Sequence, residues 1–155
     1  MSLQEEVDLL RRLPLFAKIE PAKLKLLAFT SDRLVFAPGD VLFEQGDTGD
    51  AAYLVLKGSA SVLLDTPDGP IDIATINEHE IVGEIAILCD VPRTATVKAK
   101  DELITLRISK ERFFGLLEEF PEMAVEIMRE LAHRLEMTTG RLREAHSGAD
   151  AQPAH

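Results

Sequence analysis

The feature that most constrains the fold is a long central segment in which short apolar runs alternate with turn signals. From residue 32 to residue 108, runs of strand length are separated by sequences rich in glycine, proline and aspartate, which are typical of turns. These turn sequences lie at residues 37–40, 45–50, 57–58 and 66–70. Closely spaced strands with short turns predict an antiparallel β-barrel or jelly roll for this segment.

Apolar and polar residues alternate along several of these runs with a period of two. This is the pattern of strands that bury one face and expose the other, because successive side chains point to opposite sides of a sheet. The alternating apolar residues are Ala60, Val62 and Leu64; Ala95, Val97 and Ala99; and Ile104, Leu106 and Ile108. We predict that each of these strands packs one face against a common core.

Short helical patterns precede the barrel segment. Apolar residues recur there at helical spacing, and Pro21 suits the first position of a second short helix. The residues that carry the two patterns are Val7, Leu10 and Leu13, and then Leu24, Leu27 and Ala28. We predict small packing helices that belong to the same domain as the barrel.

Longer helical patterns follow the barrel segment. Ser109 can cap a helix that carries Phe113 and Leu116, because a serine side chain can accept a hydrogen bond from a backbone N–H of the first turn. Pro121 then fits the first position of a longer helix that runs toward Arg143. The order along the chain is therefore helices, barrel, helices.

The predicted fold class is α+β: an antiparallel β jelly-roll barrel with short N-terminal helices and C-terminal helices, of which the last is long. A chain of 155 residues with 46% hydrophobic residues is long enough for one well-formed core. We assign residues 1–31 to N-terminal helices, 32–108 to the β-roll, 109–144 to C-terminal helices and 145–155 to a disordered tail.

Charge and composition exclude several classes of function. A formal net charge of −10 disfavours a surface that binds nucleic acid, and no apolar stretch reaches the length of a membrane span. Of the four histidines, His79 alone lies in the barrel segment, so a three-histidine metal site is not expected. No P-loop or nucleophile-elbow spacing occurs. We expect a protein that is not an enzyme and holds no metal or cofactor.

Two further expectations concern the compartment and the end of the chain. A single cysteine, Cys89, cannot form an intramolecular disulfide, which favours the reducing cytoplasm. We expect Cys89 to be a small buried side chain, because no basic or histidine neighbour in sequence argues for a lowered thiol pKa. We also expect no helix-turn-helix after the last helix, and hence no DNA-binding domain.

Residues 81–97 carry the chemistry, since one acid and one base are set into an apolar stretch. Gly83 has no Cβ, so its backbone can approach a ligand closely, and residues 84–88 can form one helical turn whose first N–H groups point at an anion. The Arg93 guanidinium matches two phosphate oxygens, and the Glu84 carboxylate suits sugar hydroxyls. The alternative is that Glu84 and Arg93 form a structural ion pair.

The run Gly83-Glu-Ile-Ala-Ile-Leu-Cys-Asp-Val-Pro-Arg-Thr-Ala-Thr-Val97 resembles, in order and spacing, the phosphate-binding cassette of the cyclic nucleotide-binding domain family. Residues 38–58 are similar to the glycine-punctuated strands of the same family, so the resemblance covers about residues 13–143. It implies a domain that binds a cyclic nucleotide without transforming it.

The resemblance also implies roles for individual residues. Arg93 would bind the exocyclic oxygens of the cyclic phosphate, and Glu84 would accept a hydrogen bond from the ribose 2′-hydroxyl. The backbone amides of Ile85, Ala86 and Thr94 would complete the cradle. The identity of Thr94 is compatible with cAMP and with cGMP.

The last helix bears on the base. Residues 132–139 resemble the dimer helix of bacterial catabolite activator proteins, in which paired hydroxyl residues contact the adenine amino group, and Thr138 and Thr139 occupy the matching positions. This favours cAMP over cGMP, although a pair of threonines on a helix is commonly solvated or bonded to its own backbone. His133 and Arg134 could approach the base or could simply form the solvated face of the helix.

The same helix carries a coiled-coil pattern. Met128, Leu131, Leu135, Thr138 and Leu142 recur at a spacing of three and four, which predicts a parallel homodimer. The alternative is that this stripe folds back over its own barrel and caps the pocket.

The function that follows is a non-catalytic cyclic nucleotide sensor or regulatory domain that signals to an unidentified effector protein. We hypothesise that the ligand draws the cassette inward on Arg93 and repositions residues 113–142 over the base. The alternatives are a barrel that acts as a structural or protein-interaction module, and a sensor for another small anionic ligand.

Overall fold

The computed structural model describes residues 2–150, apart from the side chains of Thr138 and of residues 141–150. It confirms the predicted fold class and the order of helices, barrel and helices. The elements are α1 (Leu3–Arg11), α2 (Pro21–Thr30), β1 (Asp32–Phe36), β2 (Val41–Phe43), β3 (Ala51–Lys57), β4 (Ala60–Thr66), β5 (Gly69–Ile76), β6 (Ile81–Val82), α3 (Glu84–Cys89), β7 (Thr96–Ala99), β8 (Leu103–Ser109), α4 (Lys110–Glu119) and α5 (Pro121–Asp150).

The strands form two four-stranded antiparallel sheets, and together these make the jelly roll. One sheet has the order β1-β8-β3-β6 and the other the order β2-β7-β4-β5. A barrel-side core between the sheets includes Ala51, Val55, Ala60 and Val97. Among the described residues, six of the nine buried members of this core are alanine or valine, and the other three are Tyr53, Ile76 and Leu103.

A second, helix-side core lies on the other face of the first sheet. There Leu10, Leu24 and Phe113 of the helices, and Phe16 of the turn between α1 and α2, pack against outward-facing residues of β3 and β8. Strand β3 is therefore buried on both faces, with alternate residues in each core. The two cores therefore lie on opposite faces of the same sheet.

The alternation predicted for the strands is confirmed in β7 and needs correction in β8. Ala99 is buried and Lys98 is exposed in β7, as expected. In β8, Leu106 and Ile108 pack against the helices, but Leu103 and Thr105 on the opposite face are buried as well. The reason is that β8 lies between β1 and β3, where helices cover one face and the second sheet covers the other.

Helix boundaries follow the capping signals at the starts of helices. The Ser109 hydroxyl accepts a hydrogen bond from the Arg112 backbone N–H at 3.3 Å, and Pro21 and Pro121 are the first residues of α2 and α5. The end of α5 differs from the prediction, because the helix continues to Asp150 and so includes residues 145–150, which we had assigned to a disordered tail. Alanine, arginine and glutamate in residues 141–145 are good helix formers, which extends the helix. Residues 151–155 lie outside the described part.

Two further properties of the described residues bear on the predictions. Within residues 2–150, we find no helix with the length and apolar character needed to cross a membrane. Cys89, expected to be buried, is exposed at the end of α3. That short helix places Ala86 and Ile87 in the interior and leaves its last residue on the surface.

Candidate ligand-binding site

A cavity of about 790 Å³ opens between the inner faces of the barrel and α5. This volume is in the range of pockets that hold small organic ligands. Its lining includes β-roll residues Phe43, Val62, Leu64, residues 73–77, Glu80, Val82, residues 83–86 and 93–95, and Val97, together with His133, Arg134 and Met137 of α5. The cassette (residues 81–97) and the last helix, α5, thus border the same pocket.

Arg93 is the buried cation of this pocket, since its side chain is 2% exposed. Its Nη1 donates to the Gly83 carbonyl at 2.7 Å and its Nη2 donates to the Ala51 carbonyl at 2.6 Å. The nearest acid in an ion pair with it is Asp50, at 3.8 Å from Nη2. The direct hydrogen bonds of the guanidinium therefore go to neutral backbone groups, and its ion pair is a longer contact with the exposed Asp50.

Further contacts fix the orientation of Arg93 and leave donors free. The guanidinium carbon lies 4.0 Å from the ring centroid of Phe43, in a cation–π arrangement. A guanidinium has five N–H donors, and the buried Nε of Arg93 has no hydrogen-bond partner among the described residues. Burial lowers the pKa of Arg93, yet arginine stays protonated at neutral pH. The group is prepared to donate to an anion.

Gly83 permits this arrangement for two reasons. Its φ of +89° is a left-handed conformation that favours glycine. A Cβ at this position would lie 2.6 Å from Arg93 Nη1. The absence of a side chain at Gly83 thus makes room for the Arg93 guanidinium, and the predicted close approach of the Gly83 backbone to a ligand stays a prediction.

Glu84 is the buried acid of the pocket, with 1% of its side chain exposed. Its Oε1 accepts a hydrogen bond from Arg134 Nη1 at 2.8 Å. Burial raises the pKa of Glu84, and the charge of Arg134 opposes part of that rise. The alternative in which Glu84 pairs with Arg93 is wrong, because each of the two buried charges has a different partner.

The cassette residues other than Arg93 and Glu84 surround the same space. Ile85, Ala86 and Thr94 all line the pocket, Ala86 as a buried residue and the other two with exposed surface. The predicted single helical turn is present as α3, which begins at Glu84 after Gly83. The three residues whose backbone amides are expected to cradle a phosphate thus border the same cavity as Arg93.

The last helix contributes more to the site than its sequence indicated. Arg134, which was expected either near the base or on the solvated face, has a side chain that is one-quarter exposed and bonds Glu84. Thr139 is exposed and is not among the described residues that line the pocket. The side chain of Thr138 lies outside the described part, so its predicted contact with adenine stays a prediction.

The predicted coiled-coil stripe is divided between surface and core. Met128 and Leu135 are 60% and 68% exposed, whereas Leu131 packs against the helix-side core. The side chain of Leu142 lies outside the described part. Met123, Ile127 and Leu131 anchor α5 in the helix-side core, while Met128 and Leu135 present apolar surface to solvent.

Three contributors to the site were missed in the sequence. Phe43 stacks on Arg93, Asp50 pairs with it, and Glu130 accepts a hydrogen bond from Arg134 Nη2 at 2.9 Å. Spacing could have indicated the last, because Glu130 and Arg134 are four residues apart on a helix. The other two contacts join Arg93, in the loop between α3 and β7, to residues that are distant in sequence.

A β-roll with a cavity, a glycine-led helical turn and a buried arginine defines a class of small-molecule sensor domains. In agreement with that class, the family model of the cyclic nucleotide-binding domain matches residues 33–120. The chain belongs to this family, which confirms the resemblance found in the cassette.

Individual relatives place the family match in context. The cAMP-dependent protein kinase regulatory subunit of Blastocladiella emersonii is 32% identical over 109 residues, which are 70% of this chain and 27% of that protein. The CRP-like cAMP-activated global transcriptional regulator of Mycobacterium tuberculosis is 26% identical over 136 residues, 87% of this chain and 61% of that protein. This chain therefore spans only part of the length of these relatives.

Among solved structures, the sensor domain of the transcriptional regulator DNR from Pseudomonas aeruginosa superposes with a TM-score of 0.75 at 24% identity. The superposition covers 89% of this chain and 93% of that one. At this identity the similarity concerns the fold.

Proposed function

We propose that this chain is a non-catalytic sensor that binds cAMP in preference to cGMP. The observation that carries the proposal is the pairing of a buried arginine, Arg93, with a buried acid, Glu84, in one cavity of suitable size. An anion would complete the hydrogen bonding of the guanidinium, and a hydroxyl group would be offered the carboxylate as acceptor. A cyclic nucleotide presents both groups on adjacent parts of one ring system.

The charge balance of the pocket supports an anionic ligand. Glu84 accepts a direct hydrogen bond from Arg134, whereas Arg93 donates to two neutral carbonyls and its ion pair with the exposed Asp50 is 3.8 Å long. A negative charge in direct contact with Arg93 would therefore compensate this buried cation more closely than Asp50 does. A cyclic phosphate carries one such charge.

The preference for cAMP is supported by the relatives and by the last helix. The kinase subunit and the transcriptional regulator are named for cAMP dependence and cAMP activation. Thr138 and Thr139 supply hydroxyl groups that could meet the adenine amino group from a neighbouring helix, as the resemblance to catabolite activator proteins implies.

The experiment is calorimetric titration with cAMP and, separately, with cGMP, repeated on Arg93→Ala. We expect at least micromolar affinity for cAMP and a loss of about 2–5 kcal/mol of binding free energy in the variant, because a buried phosphate would lose its partner. Absence of heat with both nucleotides would overturn the proposal and favour a structural barrel or another ligand. Tighter binding of cGMP would overturn the base preference alone.

The proposal includes a parallel homodimer formed through α5. Met128 and Leu135 are mostly exposed and share one stripe of the helix, so a second copy would remove them from water. Sedimentation velocity should detect a dimer whose population falls in Leu135→Lys. Ile71→Lys is the matched control, because Ile71 is also exposed and lies on β5. A monomer at high concentration would refute the dimer.

We propose that ligand occupancy is transmitted through α5 to an effector protein in the cytoplasm. Arg134 connects this helix to Glu84, so a ligand that contacts Glu84 acts directly on a helix contact. Hydrogen exchange in residues 128–142 should therefore change when ligand saturates the site. Unchanged exchange in that segment would refute this route of coupling.

A further inference from the structure

Glu130 lies on α5 one turn before Arg134, which lines the pocket, and the side chain of Glu130 is 26% exposed. Its Oε1 accepts from Arg134 Nη2 at 2.9 Å, and the Ile81 backbone N–H donates to the same oxygen at 3.4 Å. One carboxylate thus joins two separate elements, the helix and the short strand β6. Neither bond involves Arg93, the residue proposed to hold the phosphate.

These bonds determine the position of Arg134. Its Nη2 donates to Glu130 and to the Ile81 carbonyl, while its Nη1 donates to Glu84 at 2.8 Å. Because a guanidinium is planar and rigid, the acceptors at Nη2 fix the direction in which Nη1 points. Without Glu130, Arg134 would lose the charged partner that directs it at Glu84.

We propose that Glu130 is a positioning residue of the nucleotide site, which acts through Arg134 to hold the Glu84 carboxylate ready to accept from the ribose 2′-hydroxyl. The inference rests on the proposed function, since it assigns a ribose to the pocket. It goes further by placing the control of hydroxyl recognition on a residue of α5 outside the cassette.

The electrostatics of the cluster agree with this role. Arg134 and Glu130 both act on Glu84: the charge of Arg134 lowers the pKa of Glu84, and the charge of Glu130 raises it by a smaller amount. Burial raises the pKa of Glu84 and of Glu130, and Arg134 lowers both. A well-placed Arg134 therefore favours the ionised form of Glu84, which has acceptor capacity beyond the bond to Arg134.

The test compares two ligands on two matched variants of the whole chain. Glu130→Gln removes the charge beside Arg134, and Glu126→Gln removes a similarly exposed charge one turn earlier, which pairs with Arg129 at 2.7 Å. Affinities for cAMP and for 2′-deoxy-cAMP are measured by calorimetry. The ratio of the two affinities reports on the 2′-hydroxyl contact and does not depend on the fraction of folded protein.

We expect Glu130→Gln to bind cAMP about tenfold more weakly, the scale of one hydrogen bond to a charged group, while its affinity for 2′-deoxy-cAMP changes little. Glu126→Gln should keep both affinities. Glu130→Asp, which retains the charge, should recover part of the ratio and serves as the second variant if Glu130→Gln folds poorly.

The other possible results refute either the positioning role of Glu130 or the proposed function. Equal losses for both ligands in Glu130→Gln leave the ratio of the two affinities unchanged. That result would show a structural role for Glu130 and refute a positioning role. If the wild-type chain binds neither ligand, the proposed function fails and the inference fails with it. If the wild-type chain binds cAMP and the ratio is unaffected in Glu130→Gln, the positioning role of Glu130 is refuted and the proposed function stands.

Discussion

The two cores of the molecule differ in the size of their side chains. The helix-side core is built from large residues such as Phe16, Phe113 and Leu24, which are fully buried. The barrel-side core includes Ala51, Ala60 and other small residues and borders the cavity that contains the buried charges. Large side chains fill space and supply hydrophobic stabilisation, whereas small ones leave room for a ligand.

This difference separates stability from recognition on the two faces of one sheet. Substitutions in the helix-side core should alter unfolding, and substitutions around the cavity should alter binding. Substitutions made in one core at a time, with unfolding and binding both measured, show how completely stability and recognition separate.

The largest effect is expected from Phe113→Ala in the helix-side core. Removal of a fully buried aromatic ring leaves a cavity and should lower the free energy of unfolding by about 3–5 kcal/mol. Denaturant unfolding measures this loss, and Phe29→Ala, at a residue that is 75% exposed, should have little effect. The folded fraction of Phe113→Ala should retain its affinity for cAMP. A parallel loss of affinity would show that the two cores are not separate.

The next effect concerns Gly83→Ala, with Gly46→Ala as its matched control. The two glycines have φ values of +89° and +94°, so alanine should cost roughly 1–2 kcal/mol of backbone strain at each position. At Gly83 the new Cβ would also displace Arg93, whereas at Gly46 no atom lies within 4 Å. Calorimetry should show at least about a tenfold loss of cAMP affinity in Gly83→Ala alone. Equal affinities would mean that Arg93 need not hold its position.

Sequence predicted local features of both regions and missed their long-range partners. Period and capping located the helices around Ser109 and Pro121, and the spacing of the cassette located Gly83, Glu84 and Arg93. Period alone states which residues share a face of a strand. It does not state what covers each face, which is why the double burial of β8 was not predicted.

The partner of a buried charge is equally hidden from local sequence. Glu84 and Arg134 are joined across 50 positions of the chain, and the choice between Arg93 and Arg134 depends on where α5 packs. The sequence allowed two placements of α5: packed against a second copy of the chain, or folded back over its own barrel. In the structure, Arg134 lines the pocket while Met128 and Leu135 are exposed. The same helix therefore contributes to the pocket and presents apolar side chains to solvent.

A smaller effect should appear in the pH dependence of the unliganded protein. Because burial raises the folded-state pKa of Glu84, the stability associated with its neutral form is present below the unfolded value near 4.5 and is lost as the pH rises through the folded value. Glu84→Gln removes this loss. Its stability relative to wild type should therefore increase with pH above about 4.5, at no more than about 1.4 kcal/mol per pH unit for one proton.

Thermal unfolding at a series of pH values measures that difference. Glu126→Gln is the control, because its carboxylate pairs with Arg129 at the surface, and its curve should run parallel to that of the wild type. A constant difference between Glu84→Gln and wild type across the range would mean that the Glu84 carboxylate titrates alike in the folded and unfolded chain.

The smallest effect is expected from Ser109→Ala, which removes the cap of α4 on the helix side. The Ser109 hydroxyl satisfies the Arg112 backbone N–H, and loss of such a cap costs about 1 kcal/mol of stability. Ser109→Thr keeps a hydroxyl and should restore most of that loss in denaturant unfolding. Because α4 packs through Phe113 into the core that lies away from the cavity, cAMP affinity should stay unchanged in both variants. A drop in affinity in Ser109→Ala that Ser109→Thr reverses would show that the start of α4 is coupled to the pocket, and the separation of the two cores would then hold only for substitutions within their interiors.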